Sequence, residues 1–148
     1  MTEQELLTFL RSHKYAVESS VSGRGGPQAA LVGFAVTDQL EIIFDTLEST
    51  RKVTNLKANS RIAFVIGGWI NGDERTVQYE GVADFPMGEE LERLKQVYFA
   101  AFPDGPTRQT WPGITYVRTK PVWIRFSNFN IAPPEICEFS FPSPPAAQ

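Results

Sequence analysis

The chain is poor in the residues that build disulfides, metal centres and nucleophilic triads. Its 148 residues include one cysteine and one histidine. Cys137 has no intramolecular partner, which excludes an internal disulfide and points to a reducing compartment. Between Ile136 and Phe139, with no obvious His or Asn partner, it reads as a buried or half-buried packing residue rather than a nucleophile. His13 ends a helical pattern beside Lys14, the place of a dipole-matched C-terminal residue. One His and one Cys make no typical zinc site, and one His at a helix end makes no Ser-His-Asp arrangement. Fourteen Lys and Arg against seventeen Asp and Glu leave a net charge of −3, without the basic surplus of a general nucleic-acid binder. The longest strongly apolar stretch, Ile62 to Ile70, falls far short of the roughly 20 residues that cross a bilayer. Met1 to Glu5 is acidic and polar, unlike the start of a signal peptide. These absences lead to the expectation of a soluble, cytoplasmic protein without nucleic-acid or membrane partners.

What is present suits one globular domain over residues 1–148, with 42% hydrophobic and 21% charged residues. Thr2 to His13 has the pattern of an amphipathic helix, with Thr2 and Glu5 as a capping box and Leu6, Leu7, Phe9 and Leu10 on the apolar face. Strand patterns follow at Tyr15 to Val21, Gln28 to Val36 and Leu40 to Thr46, separated by turns at Gly23 to Gly26 and Thr37 to Gln39 and suggesting a meander. Ser49 to Asn59 reads as a helix with Ser49 as N-cap. Ser60 to Trp69 and Arg75 to Phe85 read as strands joined by the Asn71-Gly72-Asp73 turn. Met87 to Ala101 is a third helix, with Glu89, Glu90 and Glu92 ahead of Arg93 and Lys95, and Phe102 to Pro106 breaks it. Ile114 to Arg118 and Val122 to Phe129 are the last two strands, and the proline-rich tail over 133–148 is expected to be extended and frayed at its end. About seven strands and three helices predict a mainly β fold with peripheral helices, an antiparallel barrel.

The most informative run is Phe44-Asp45-Thr46-Leu47-Glu48-Ser49-Thr50-Arg51-Lys52. A strand gives way to a helix whose start carries two hydroxyls and two cations. Cations there oppose the helix dipole, at a cost of roughly 0.3–1 kcal/mol each, and a bound anion would reverse that sign. The pattern fits a phosphate site, and it also fits a solvated helix start with incidental basic residues. Thr76, Gln78 and Glu80 share one face of a strand, a polar face for a ligand, a partner subunit or solvent. Trp69, Trp111 and Trp123 are each open to cofactor stacking or to packing. Arg125 projects opposite Ile124 and Phe126, toward an anion in a second subunit's site or toward a surface ion pair.

This run resembles the F-Y-T-N-x-x-S-R-K segment of the pyridoxamine 5′-phosphate oxidase family, whose fold is the FMN-binding split barrel of Greek-key type. Thr46, Thr50, Arg51 and Lys52 match it directly, and Asp45 replaces the aromatic. Asn55 to Val65 is similar to the family's helix-to-strand step. Gly26 to Gly33 resembles its second strand, Thr76 to Ala83 the strand that offers a polar side chain to the flavin, and Tyr116 to Phe126 the terminal hairpin of short members. The resemblance implies FMN as cofactor, a homodimer with the cofactor at the subunit interface, and oxidoreductase chemistry. It implies cofactor contacts from Gln28, Ala29, Ala30, Leu31, Asp45, Thr46, Thr50, Arg51, Lys52, Thr76, Gln78, Trp123 and Arg125. A binding or sensing module holding flavin, deazaflavin or haem is the alternative the same fold allows. Gln28 and Gly33 stand where the vitamin-B6 enzyme has arginine and lysine, and no R-x-H segment follows Arg125, so oxidation of pyridoxamine phosphate itself is not expected.

Overall fold

The computed structural model describes residues 1–144 and places every strand in one curled antiparallel sheet. In chain order the elements are α1 (Glu3–Arg11), β1 (Tyr15–Val21), β2 (Pro27–Gly33), β3 (Ala35–Val36), β4 (Ile42–Leu47), α2 (Arg51–Ala58), β5 (Arg61–Gly67), β6 (Arg75–Asp84), α3 (Gly88–Ala101), α4 (Gly105–Arg108), β7 (Ile114–Asn128) and β8 (Glu135–Ser140). The strand order is β2-β1-β5-β6-β7-β4-β3, so the two early hairpins end up at opposite edges rather than in a continuous meander. The sheet curls until β2 and β4 approach each other. The split lies on β7. One edge pairs with β6 along Arg118 to Asn128, and the other takes β4 along Ile114 to Thr119 and β8 along Trp123 to Asn128. This is the expected split barrel with helices outside it.

β7 is one fifteen-residue strand where the sequence pattern suggested two, Ile114 to Arg118 and Val122 to Phe129, and it runs through Pro121. A proline lacks the N–H that a ladder needs, and it is tolerated at a bulge. The register of β6 against β7 shifts between Glu80 and Gly81, where Glu80 pairs with Trp123 and Gly81 with Pro121, so Val122 is the extra residue. Gly81 is required there, because a Cβ would lie 2.4 Å from the Lys120 carbonyl oxygen. β8 is a second difference. Proline composition masked the alternation of Cys137, Phe139 and Phe141, which are half-buried and pack on the core. Residues 145–148, the end of the expected frayed tail, lie outside the described residues. α4 was not expected, and β5 ends at Gly67 rather than Trp69.

The main core lies inside the curl, where Leu6, Phe9 and Leu10 of α1 meet Phe44, Phe64, Ile66, Val77, Tyr79 and Ile124. α1 begins at the expected capping box: the Glu5 N–H donates to Thr2 Oγ1 at 3.1 Å and the Thr2 N–H to Glu5 Oε2 at 2.6 Å. A second cluster fills the other face of β4, with Ile43, Leu94, Tyr98, Phe102 and Tyr116 beneath α3. β4 is therefore buried on both faces, which fixes where it delivers Thr46 and the start of α2.

Candidate functional site

Seven residues of the sequence-derived set converge around the start of α2, six along a cleft and Thr46 beside them at the end of β4. Gln28, Ala29 and Ala30 of β2 and Thr50, Arg51 and Lys52 of α2, together with Ser49 and with Glu18 and Ser20 of β1, line a cleft of about 350 Å³. The N-cap is Thr50, one residue later than expected. Its hydroxyl does not cap the helix and instead donates to the Leu47 carbonyl at 2.8 Å. The first N–H groups of α2 thus lack a side-chain acceptor, and the first turn holds no acidic residue. Thr46 Oγ1 lies 3.3 Å from Thr50 Oγ1 and accepts from Lys52 Nζ at 3.4 Å. Among the described residues neither Arg51 nor Lys52 forms an ion pair. Uncapped N–H groups, two hydroxyls and two uncommitted cations make this a place where an anion is favoured.

The floor of the cleft is polar as well. Asn55, buried on α2, donates its amide to Ser20 Oγ at 3.1 Å and to Gln28 Oε1 at 2.8 Å. That bond orients the Gln28 amide and leaves its N–H groups available. Glu18 is 2% exposed, and its Oε2 has no partner. Burial raises the pKa of its carboxyl, and the charge of nearby Lys52 works in the opposite direction. Glu18, Ser20, Ser49 and Asn55 were not among the expected site residues. The signal for the first two was in the alternation of β1, which places Glu18 and Ser20 on the same buried face as Ala16.

The remaining expected residues are elsewhere. Leu31, Gln78 and Arg125 belong to one cross-strand row on the outer face, Leu31–Val17–Val65–Gln78–Arg125, and Trp123 to the adjoining row through Ala29, Ser19, Ala63 and Glu80. Gln78 and Trp123 line a shallow groove of about 150 Å³ on that face, with Thr76 two residues from Gln78 on the same strand. Arg125 Nε is buried without a partner, and the nearest carboxylate, Glu138, stands 3.9 Å from the guanidinium. β1 separates this face from the cleft, since Val17 and Ser19 point one way and Glu18 and Ser20 the other. Asp45 points away from both. It accepts from Tyr98 Oη at 2.9 Å and from Arg108 Nε at 3.0 Å beneath α3 and α4. His13 holds the helix-end position expected of it, with Nδ1 3.0 Å from the Phe9 carbonyl oxygen. No helix among the described residues is long and apolar enough to cross a membrane.

Comparison with known proteins agrees with this architecture. The haem-binding protein from Mycobacterium smegmatis superposes with a TM-score of 0.78 at 15% identity, over 92% of this chain and 56% of that one. The chain thus spans little more than half the length of that protein. A conserved hypothetical protein from Mycobacterium tuberculosis matches with a TM-score of 0.72 at 24% identity, over 86% of this chain and 85% of that one. HutZ, the haem storage protein of Vibrio cholerae, matches with a TM-score of 0.70 at 14% identity, over 80% and 89%. At these identities the likeness is one of fold. No curated protein matches the sequence. The pyridoxamine 5′-phosphate oxidase family model matches residues 2–128, which contain α1 through β7, the uncapped start of α2 and the β1–β2 wall of the cleft; the chain belongs to that family.

Proposed function

We propose that this protein is an FMN-binding flavoprotein with oxidoreductase activity that works as a homodimer. The observation that carries the reading is the convergence of Thr50, Arg51 and Lys52 on the uncapped N-terminus of α2, where they line a cleft, with Thr46 Oγ1 next to Thr50 Oγ1 and Lys52 Nζ. The phosphate of FMN would be held there, by charge-assisted hydrogen bonds and helix N–H groups. Gln28, oriented by Asn55, would meet the part of the cofactor lying along β2. FMN, when bound, supplies hydride or electron transfer. The protein's share is to hold the phosphate, orient the ring and keep water from it.

The separation of the two groups of residues supports the dimer. Leu31, Thr76, Gln78, Trp123 and Arg125 lie on the far face of the sheet from the cleft, so one copy cannot close both around a single ligand. A twofold partner can, because an isologous interface presents each copy's outer face to the other's cleft edge. Leu31 is 65% exposed and Val65 45%, and they sit in one row with Val17, an apolar strip that such packing would cover.

Haem is the second reading, favoured by the haem-binding and haem-storage proteins among the structural neighbours. The residues here suit it less well. A haem iron takes an axial His, Cys, Met or Tyr, and the cleft is lined by none of these. The single histidine is buried with Nδ1 at the Phe9 carbonyl.

FMN titration followed by absorbance, with a parallel haemin titration, tests the assignment. The expected result is saturable uptake of FMN by the wild type. In the Arg51→Ala, Lys52→Ala double variant affinity should fall by about 100-fold or more, the loss of two charge-assisted contacts, with an unchanged circular dichroism spectrum. Stoichiometric FMN retained by that variant would overturn the site, and preferential haemin uptake would favour the second reading. Light scattering of Leu31→Asp tests the dimer, with dissociation to monomer expected.

A further inference from the structure

Glu18 is the one buried carboxylate among the described residues that has an unpartnered oxygen, and it lines the cleft that the cations of α2 also line. A buried carboxylate oxygen without a donor is costly, and native proteins tolerate few of them without a reason. Nothing on β1 or its neighbours relieves it. Ser20, two residues on, accepts from Asn55 and does not reach Glu18 Oε2, the register partner of Glu18 on β2 is Ala30, and Lys52 is near enough to act on the carboxyl yet forms no ion pair with it.

The cleft is therefore polarised. Its α2 end offers hydrogen-bond donors and positive charge, and its β1 wall offers an acceptor with negative charge. A free anion suits only the first end, and would be repelled if it lay against Glu18. A ligand that suits both ends carries an anionic group joined to hydroxyls. We propose that Glu18 is a specificity-determining residue of this cleft, its carboxylate accepting a hydrogen bond from a hydroxyl of a phosphorylated polyol chain whose phosphate is held by Arg51 and Lys52. This rests on the assignment of the cleft as a phosphate-ester site, and it names the residue that distinguishes such an ester from phosphate alone. The ribityl phosphate portion of FMN belongs to that chemical class.

Isothermal titration calorimetry of the full chain with FMN, ribitol 5-phosphate and inorganic phosphate, on wild type, Glu18→Leu and Glu18→Gln, tests it. Glu18→Leu should bind ribitol 5-phosphate and FMN about 10- to 100-fold more weakly, the loss of one hydrogen bond to a charged group. Inorganic phosphate should bind it equally or more tightly, because a like charge is gone. Glu18→Gln, which keeps an uncharged acceptor, should fall between. The unliganded Glu18→Leu protein should melt no lower than wild type, which separates lost recognition from lost folding. Equal changes for all three ligands, or none, would overturn the role of Glu18. Glu18-dependent binding of ribitol 5-phosphate with no tighter binding of FMN would uphold Glu18 and refute the flavin assignment. Tight FMN binding that is indifferent to residue 18 would do the reverse, and a wild type that binds none of the three would refute both.

Discussion

The polar groups beneath α3 and those in the α2 cleft are treated in opposite ways. Under α3 the cations are matched. Arg118, 8% exposed, donates to Asp84 at 2.6 and 2.9 Å and to Glu90 at 2.6 Å. Arg108 is shared among Asp45, Asp104 and the Tyr98 hydroxyl, which itself donates to Asp45. In the cleft, among the described residues, Arg51 and Lys52 lack carboxylate partners and Glu18 Oε2 lacks a donor. Matched groups under α3 fix how the helix sits on β4 and β7. Unmatched groups in the cleft leave hydrogen-bonding capacity for something the chain does not itself supply.

The comparison is broken most severely at Arg118. Arg118→Met should destabilise the fold by about 2–4 kcal/mol in urea unfolding, because it strips two carboxylates of their partner in a partly buried setting. On the proposed assignment FMN affinity should hold, since Arg118, Asp84 and Glu90 do not line the cleft. A smaller effect is expected of Tyr98→Phe. It removes the donor to Asp45 and the acceptor for Arg108, at a cost of about 1 kcal/mol. Tyr116 tests the contrast from inside the α3 region. It is 5% exposed, with its ring beneath the Lys95 ammonium and, among the described residues, an unpartnered hydroxyl, an exception to the matching around it. Its orphan is a neutral phenol, less costly than a carboxylate, so Tyr116→Phe should be neutral or raise stability by up to about 0.5–1 kcal/mol. A marked loss would mean that the hydroxyl has a partner and that the exception is false.

Much of this contrast was legible in the sequence at the level of elements and not of pairings. The capping box of α1 followed from Thr2 and Glu5, and the N-cap of α2 was expected at Ser49, one residue before Thr50, because caps and dipole effects are local. The continuity of β7 through Pro121 was not legible, because a proline is disfavoured in a regular ladder and only the register shift opposite Gly81 shows how it is absorbed. Asp45 misled for a related reason. It stands beside Thr46 in the strand, so alternation sends the two side chains to opposite faces, and which face meets the cleft depends on α3 packing from some fifty residues away. Glu18 was readable in principle, as a charged residue on the buried face of β1. That this face opens onto α2 depends on β1 pairing with β5 across more than forty residues of chain.

The smallest expected effect bears most directly on what separates the two regions. Burial raises the folded-state pKa of Glu18 above its ordinary 4.5, with Lys52 opposing the shift. A carboxyl shifted upward gives its full contribution to stability below the unfolded value of 4.5, and that contribution is lost as pH rises through the folded value. Above that folded value the unliganded wild type therefore carries the strain of an ionised, unpartnered carboxylate. Glu18→Gln removes the charge and keeps an amide that also wants partners, so its gain at pH 7 should be only of the order of 0.5 kcal/mol. The gain should shrink as pH is lowered and disappear below 4.5, where both side chains are neutral. Paired urea melts at pH 4 and pH 7 check the sign, because the other titrating groups are common to both proteins and cancel in the difference. Adding Lys52→Ala removes the opposing charge and should enlarge the gain from the glutamine at high pH without moving the pH at which it sets in. Asp84 and Glu90 under α3 behave differently, since neutralising either strips Arg118 of a donor's acceptor; Asp84→Asn should lower stability at pH 7. If Glu18→Gln did the same, Glu18 would be a matched group like those beneath α3, and the cleft would lose its distinction from the rest of the molecule.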